Sequence, residues 1–219
     1  MEPSSREKIL EVAEARFAQR GFAGVGMREV ALAAGLGKSS LFHHFATKAE
    51  LYVAVIERVI ARIEVHVLPA LRAESGVLAQ IDRAVDALID ALAEHPTTAR
   101  LLLRALVEED ELAREEPPEA AAVEARIHAL VARFRALLAA GVETRELRPV
   151  SAPDAVQTLI GATVYHFASG EFGEAVLGGP LFSADAVARR KREVKELLLR
   201  GLANPPESMN CARKEDPLP

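Results

Sequence analysis

Between Met27 and Leu51 a helical apolar repeat is broken by glycine at Gly35 and Gly37, and that break limits what this chain can fold into. Met27, Val30, Ala31 and Ala34 recur at i, i+3, i+4 and i+7, one face of a short helix. Gly35 stops that helix, because the residue just past a C-terminus often needs positive φ. Leu36 then drops toward a core as the turn residue. Gly37 opens a second short helix, Lys38 to Phe45, with Leu41 and Phe45 on its apolar side and Phe42 beside them. Its other side carries Lys38, Ser39, Ser40, His43 and His44. Thr47 with Glu50 three residues on is a capping box that starts a third, longer helix. Two short helices around a Gly turn are a helix-turn-helix pattern. A helix of that width enters the major groove of B-DNA, about 12 Å across, where Ser, Lys and His can exchange hydrogen bonds with base edges. The pattern alone also fits two surface helices of an all-α protein whose polar face is merely solvated.

The residues from Arg6 to about Leu51 resemble the N-terminal domain of tetracycline-repressor-type (TetR family) transcription regulators. The resemblance lies in Gly21-Phe22, Val30-Ala31-Leu32-Ala33-Ala34-Gly35-Leu36-Gly37, Leu41-Phe42-His43-His44-Phe45, Lys48 and Leu51. It covers about a quarter of the chain; the rest is compatible with the family, whose ligand domains vary. Three positions depart from the pattern. Gly37 replaces the usual Ser or Thr cap, Phe42 replaces the usual Tyr, and Val25-Gly26 replaces the Thr that often caps the preceding helix. The resemblance implies a double-stranded, palindromic operator as partner. It puts Lys38, Ser39 and Ser40 toward the groove, Arg28 at base or phosphate, and His43, His44 and Lys48 at phosphates. Phe42 stands at the same interface without a phenol donor. The resemblance also implies a body that binds a small molecule and shifts the fourth helix, spreading the heads of a homodimer.

Ala and Leu dominate and β-branched runs are scarce, so the fold class is all-α. The expected architecture is a three-helix head over residues 1–47 and a larger helical ligand-binding and dimerisation body over 48–203. A disordered tail is expected over 204–219, for about nine helices in total. The first fifty residues hold seven Lys/Arg and six Glu, while the remainder holds twenty basic and twenty-six acidic residues. A slightly basic head on an acidic body suits a protein that meets DNA at one end. The single cysteine, Cys211, permits no internal disulfide and fits a reducing, cytoplasmic setting. No apolar run is long enough to span a membrane, and no signal peptide opens the chain.

Ser4 and Glu7 form a capping box for the first helix, with Ile9, Leu10, Ala13 and Phe17 as its buried stripe. The fourth helix, from Lys48, carries so wide a stripe that it must pack on two sides, against the head and then the body. Pro69 ends or kinks it. A fifth helix opens at Ser75-Gly76, and a sixth runs from Ala99 with Thr97 or Thr98 as cap. The acidic run Glu108–Glu116 is expected to be a solvated loop. The seventh helix carries Val123, Ile127, Leu130, Phe134, Leu137 and Leu138 to Gly141. The eighth starts near Ser151, and Gly170 to Pro180 is expected to be a glycine-rich loop. The ninth, from Ser183 to Leu202, is expected to turn Val187, Val194, Leu197 and Leu198 inward.

Catalytic and metal-site patterns are not found. Gly37-Lys38-Ser39 lacks the first glycine and the preceding strand of a phosphate loop. Adjacent His43 and His44 point about 100° apart, so no metal is expected there. No cofactor and no catalytic residue is assigned. His66, Arg104, His128, Tyr165 and His166 are polar groups on apolar helices. Each is either a satisfied core or interface residue or, with Phe134, part of a pocket. Arg104 is the candidate for holding an anionic head group of an amphipathic effector. The eighth and ninth helices are apolar enough to be plain core or a four-helix dimer interface, and the resemblance favours the interface, with Leu159, Thr163, Val194 and Leu198 in it. The rival function is a dimeric regulator without small-molecule control.

Overall fold

A computed structural model describes residues 4–72, 76–107 and 117–204. Among these are ten helices: α1 (Ser5–Arg20), α2 (Met27–Ala33), α3 (Lys38–His44), α4 (Lys48–Ala70), α5 (Val77–Glu94), α6 (Pro96–Val107), α7 (Pro118–Glu143), α8 (Ala152–Ala168), α9 (Glu171–Leu177) and α10 (Ala184–Leu202). The acidic run Glu108–Glu116, Ser75, Cys211 and all of the expected tail but Asn204 lie outside the described residues.

The head forms as its local signals dictate. Ser4 Oγ accepts from the Glu7 amide and the Glu7 carboxylate accepts from Ser4 N, satisfying two orphan donors at the start of α1. Ile9, Ala13 and Phe17 are fully buried beneath it. Gly35 takes φ +69, and Leu36 N then reaches back to the Ala31 carbonyl. Thr47 caps α4 through the Glu50 amide, but the Glu50 carboxylate returns to Ala46 N rather than to Thr47.

α4 is the spine. One contiguous core runs from Ile9 and Phe17 through Leu41 and the α4 stripe to Leu101 and Val123, so packing is unbroken at residue 47. α4 lies against α1 at its start and against α5 and α7 further on. A second core joins α5, α7, α8 and α10 around Ile89, Leu138, Leu159 and Phe167. Asp82, Asp86 and Asp90 of α5 face Lys195 and Lys191 of α10, an ion ladder that fixes their register.

Three expectations are corrected here, and one start is found to be capped from a distance. α6 starts at Pro96, so Thr97 and Thr98 sit inside its first turn, and Thr97 donates to Glu14 instead of capping. Proline is favoured at the first helical position, which explains the earlier start. The start of α5 is capped from afar, by the Glu146 carboxylate accepting from Val77 N. The glycine-rich stretch contains α9, bracketed by Gly170 and Gly178 at positive φ. Leu197 is 74% exposed rather than inward.

Candidate DNA-binding face and body cavity

α3 is anchored by its apolar side. Leu41 and Phe45 are buried against the head core, and the Arg6 guanidinium lies 5.3 Å from the Phe45 ring. Lys38, Ser39, Phe42 and His43 are exposed, Ser40 and His44 half-buried, so the outer surface of α3 offers hydroxyls, imidazoles and one ammonium and no carboxylate. Lys38 Nζ stands 5.4 Å from the centre of the Phe42 ring, a cation–π pair one turn apart. Phe42 is 39% exposed and so stays on the outer surface. Arg28, on α2, is exposed as well. A Cβ at Gly37 would meet only Ser39 Oγ, at 3.9 Å; nothing in the backbone demands glycine there.

Lys48 is more committed than the other cations expected at DNA. Its ammonium donates to the Phe22 carbonyl at 3.0 Å and sits 4.3 Å from that ring's centre, holding the Gly21-Phe22 turn on α4. Two of its three N–H donors are left for an outer partner. Arg16 and Arg20 of α1 both pair with Glu29 of α2. The hydrogen bond from Arg20 holds the Glu29 carboxyl below its ordinary range.

The body holds a half-open cavity of about 600 Å³ between α4, α5, α6, α7 and α8. That lies within the usual range for small-molecule sites. Its wall is apolar, with Ile56, Ile60 and Ile63 from α4 facing Val123, Ile127 and Phe134 from α7. Among the described residues the polar lining residues are Tyr52, Glu124 and His128. Of the expected ligand contacts, His128 and Phe134 line it; Arg104, Tyr165 and His166 do not. Arg104 instead donates to the Ala18 and Gln19 carbonyls, at 3.2 and 3.3 Å, capping the C-terminal end of α1. The orphan carbonyls and dipole of a helix end attract such a cation. Tyr165 is 54% exposed. His166 is half-buried against α10; burial, then Arg190 and Arg189, push its pKa down to about 4.

The expected interface residues also divide differently. Leu159 lines the cavity, the Thr163 hydroxyl donates to the Leu159 carbonyl within α8, and Val194 and Leu198 pack in the body core. The apolar side chains left exposed at this end are Tyr165, Phe172, Val176, Leu177 and Leu197. On α10 the apolar Leu197 and Leu198 are adjacent, and periodicity does not say which of them the chain itself covers.

Sequence reasoning passed over two sites. Tyr52 lines the cavity and also packs edge-on against Phe17 and Phe22 of the head, at 5.0 and 5.3 Å between ring centres. Its place in the α4 stripe was the only signal. Glu14 of α1 is buried where α1, α4 and α6 meet. It accepts from Arg62 and Thr97, both at 2.6 Å, with Arg58 at 3.7 Å. Nothing near Glu14 in sequence announces those partners.

Fold and site together define a helix-turn-helix DNA-binding regulator with a ligand-sized cavity in its helical body. Comparison with known proteins makes the class specific. Residues 9–55 match the model for bacterial regulatory proteins of the tetR family, and residues 78–198 match that for the tetracyclin repressor-like C-terminal domain. The HTH-type transcriptional regulator RutR of Escherichia coli K12 is 26% identical over 202 residues, 91% of each chain. The ketosteroid transcriptional regulator KstR2 of Mycobacterium tuberculosis superposes with a TM-score of 0.74 at 21% identity, covering 93% of this chain and 97% of that one. AibR, in complex with isovaleryl coenzyme A and operator DNA, superposes with a TM-score of 0.72 at 17% identity, covering 90% and 98%. The chain belongs to the TetR family of transcriptional regulators: it is a DNA-binding protein and not an enzyme. Among the described residues no helix is long and apolar enough to cross a membrane.

Proposed function

We propose that the chain acts in the cytoplasm as a homodimeric repressor, released from a palindromic operator when a small apolar or amphipathic ligand fills the body cavity. The observation that carries this reading is the double role of Tyr52, which forms part of the cavity wall and packs edge-on against Phe17 and Phe22 of the head. A ligand that displaces α4 acts on the head core directly. Glu14 extends the link, because Arg62 on α4 and Thr97 on α6 hold the same carboxylate of α1. Release requires the ligand to bind one head spacing better than the other; equal affinity shifts nothing. In AibR the same fold holds an acyl coenzyme A and operator DNA, which supports a shared arrangement here.

Tyr165 and Leu197, with Phe172, Val176 and Leu177 of α9, are the surface offered to a second copy. Dimers of this motif set their recognition helices about 34–36 Å apart, or a multiple, so the operator is an imperfect palindrome. The DNA contacts assigned are Arg28, Lys38, Ser39, Ser40, His43, His44 and the free donors of Lys48, with Phe42 packed at the same face. The rival, a dimeric regulator without ligand control, leaves a cavity of about 600 Å³ without purpose. Protein interiors are otherwise close-packed.

The test is capture of genomic fragments on the purified protein, then mobility-shift titration of the captured sequence with and without small apolar compounds. An enriched imperfect palindrome that an apolar compound releases is expected. No enrichment would overturn the DNA contacts; enrichment with no release by compounds that occupy the cavity would favour the rival.

A further inference from the structure

We infer that the cavity selects uncharged lipophiles, of the class of long-chain alcohols, ketones and fused-ring hydrocarbons, and rejects ligands that must place an anionic head group inside it. The inference rests on the cavity being the effector site. Among the described residues no Lys or Arg lines it, and the one charged lining residue is a carboxylate, Glu124, 64% exposed at the mouth with His128 3.9 Å away. Arg62, Arg104 and Arg126 flank lining positions on α4, α6 and α7, and each is engaged elsewhere. Arg62 holds Glu14, and Arg104 caps α1. Arg126 forks onto Glu64, at 2.6 and 3.3 Å, and reaches Glu57 at 3.3 Å. The exposed Arg72, Arg83, Arg133 and Arg135 do not line the cavity either.

Recruiting Arg62 to an anion would strand Glu14, whose carboxylate is almost fully buried, without its closest cation. Recruiting Arg126 would strand Glu64 and cut the ion pairs that join α4 to α7. A ligand carboxylate among the isoleucines would find no cation among the described residues, and only the Tyr52 hydroxyl and the His128 ring as neutral donors to replace water. At the mouth it would meet Glu124, with Glu57 and Glu64 already exceeding the single charge of Arg126. An alkyl chain with a neutral end meets none of these penalties, and a cationic end can stay at the mouth beside Glu124.

The test is displacement of Nile red from the intact chain by decanol, decanoate and decyltrimethylammonium, each below its aggregation concentration. Decanol should displace the dye at a concentration lower than decanoate by about tenfold or more, which corresponds to about 1.4 kcal/mol. Decyltrimethylammonium should also bind more tightly than decanoate. Glu124→Gln should narrow the decanol-to-decanoate ratio, and Ala120→Trp, which intrudes on the wall, should weaken all three. Decanoate binding as well as decanol, or a ratio unmoved by Glu124→Gln, would overturn the charge preference while leaving the cavity as a lipophile site. Displacement by none of the three would overturn the effector site itself, and this inference with it.

Discussion

Replacing Arg62 by Met removes a guanidinium but keeps an apolar stem of similar reach. Glu14 then keeps Thr97 Oγ1 at 2.6 Å and Arg58 at 3.7 Å, the latter on a partly exposed side chain. Breaking a fully buried pair by removing one partner costs about 3–5 kcal/mol. Arg62 is 17% exposed and two partners remain, so about 2 kcal/mol is expected. In urea the midpoint should fall with an unchanged slope, because the surface exposed on unfolding is the same. The double variant Glu14→Leu, Arg62→Met should recover most of the loss, since an apolar pair of similar volume often matches a buried ion pair. A cost below about 0.5 kcal/mol for Arg62→Met would place the pair with weak surface bridges. A double variant at least as unstable as the sum of the singles would show the two residues to be uncoupled. Either result would refute the reading of Glu14 as the joint between α1, α4 and α6.

Three further outcomes follow from the geometry. Phe42→Tyr adds a donor on the outer surface of α3 and should tighten operator binding by about 1–3 kcal/mol; unchanged affinity in a mobility-shift titration would show that position 42 does not reach a phosphate. Leu197→Glu should give a folded monomer by light scattering, whereas Val194→Glu, at a buried core position, should unfold the body; a dimer surviving Leu197→Glu would move the interface elsewhere. His166 has its pKa pushed down to about 4, so the unfolded chain takes up a proton near pH 6.5 that the folded chain refuses until about 4. Its contribution is therefore present above pH 6.5 and lost as pH falls through that window. Urea midpoints should fall less steeply there for His166→Gln, and identical acid slopes would refute the assignment.

The head was legible because its instructions are local. The Ser4–Glu7 box, Gly35 at positive φ and the Leu41–Phe45 spacing act within a few residues of where they are written. The two-sided stripe of α4 was legible for the same reason. The cavity wall was partly legible: apolar α7 residues such as Ile127 and Phe134 were identified, but not the space between them and α4. What escaped depends on distant partners. Arg104 finds the end of α1, Glu146 caps α5, and Glu14 meets Arg62 and Thr97. Leu197 and Leu198 are adjacent and equally apolar, and only the docking of α10 on α5 and α8 decides which is left outside.

The central claim is that filling the cavity moves the heads through α4. The most direct measurement is the distance between nitroxides on Glu11→Cys, an exposed α1 position, in the dimer of a Cys211→Ser background. It is taken by pulsed electron resonance with operator bound, and again after adding a lipophile that displaces Nile red. A single distance in the operator complex should give way to a different one as operator is released, over the same range of ligand concentration. Release of operator with the distance unchanged, or a filled cavity with neither quantity altered, would contradict the account.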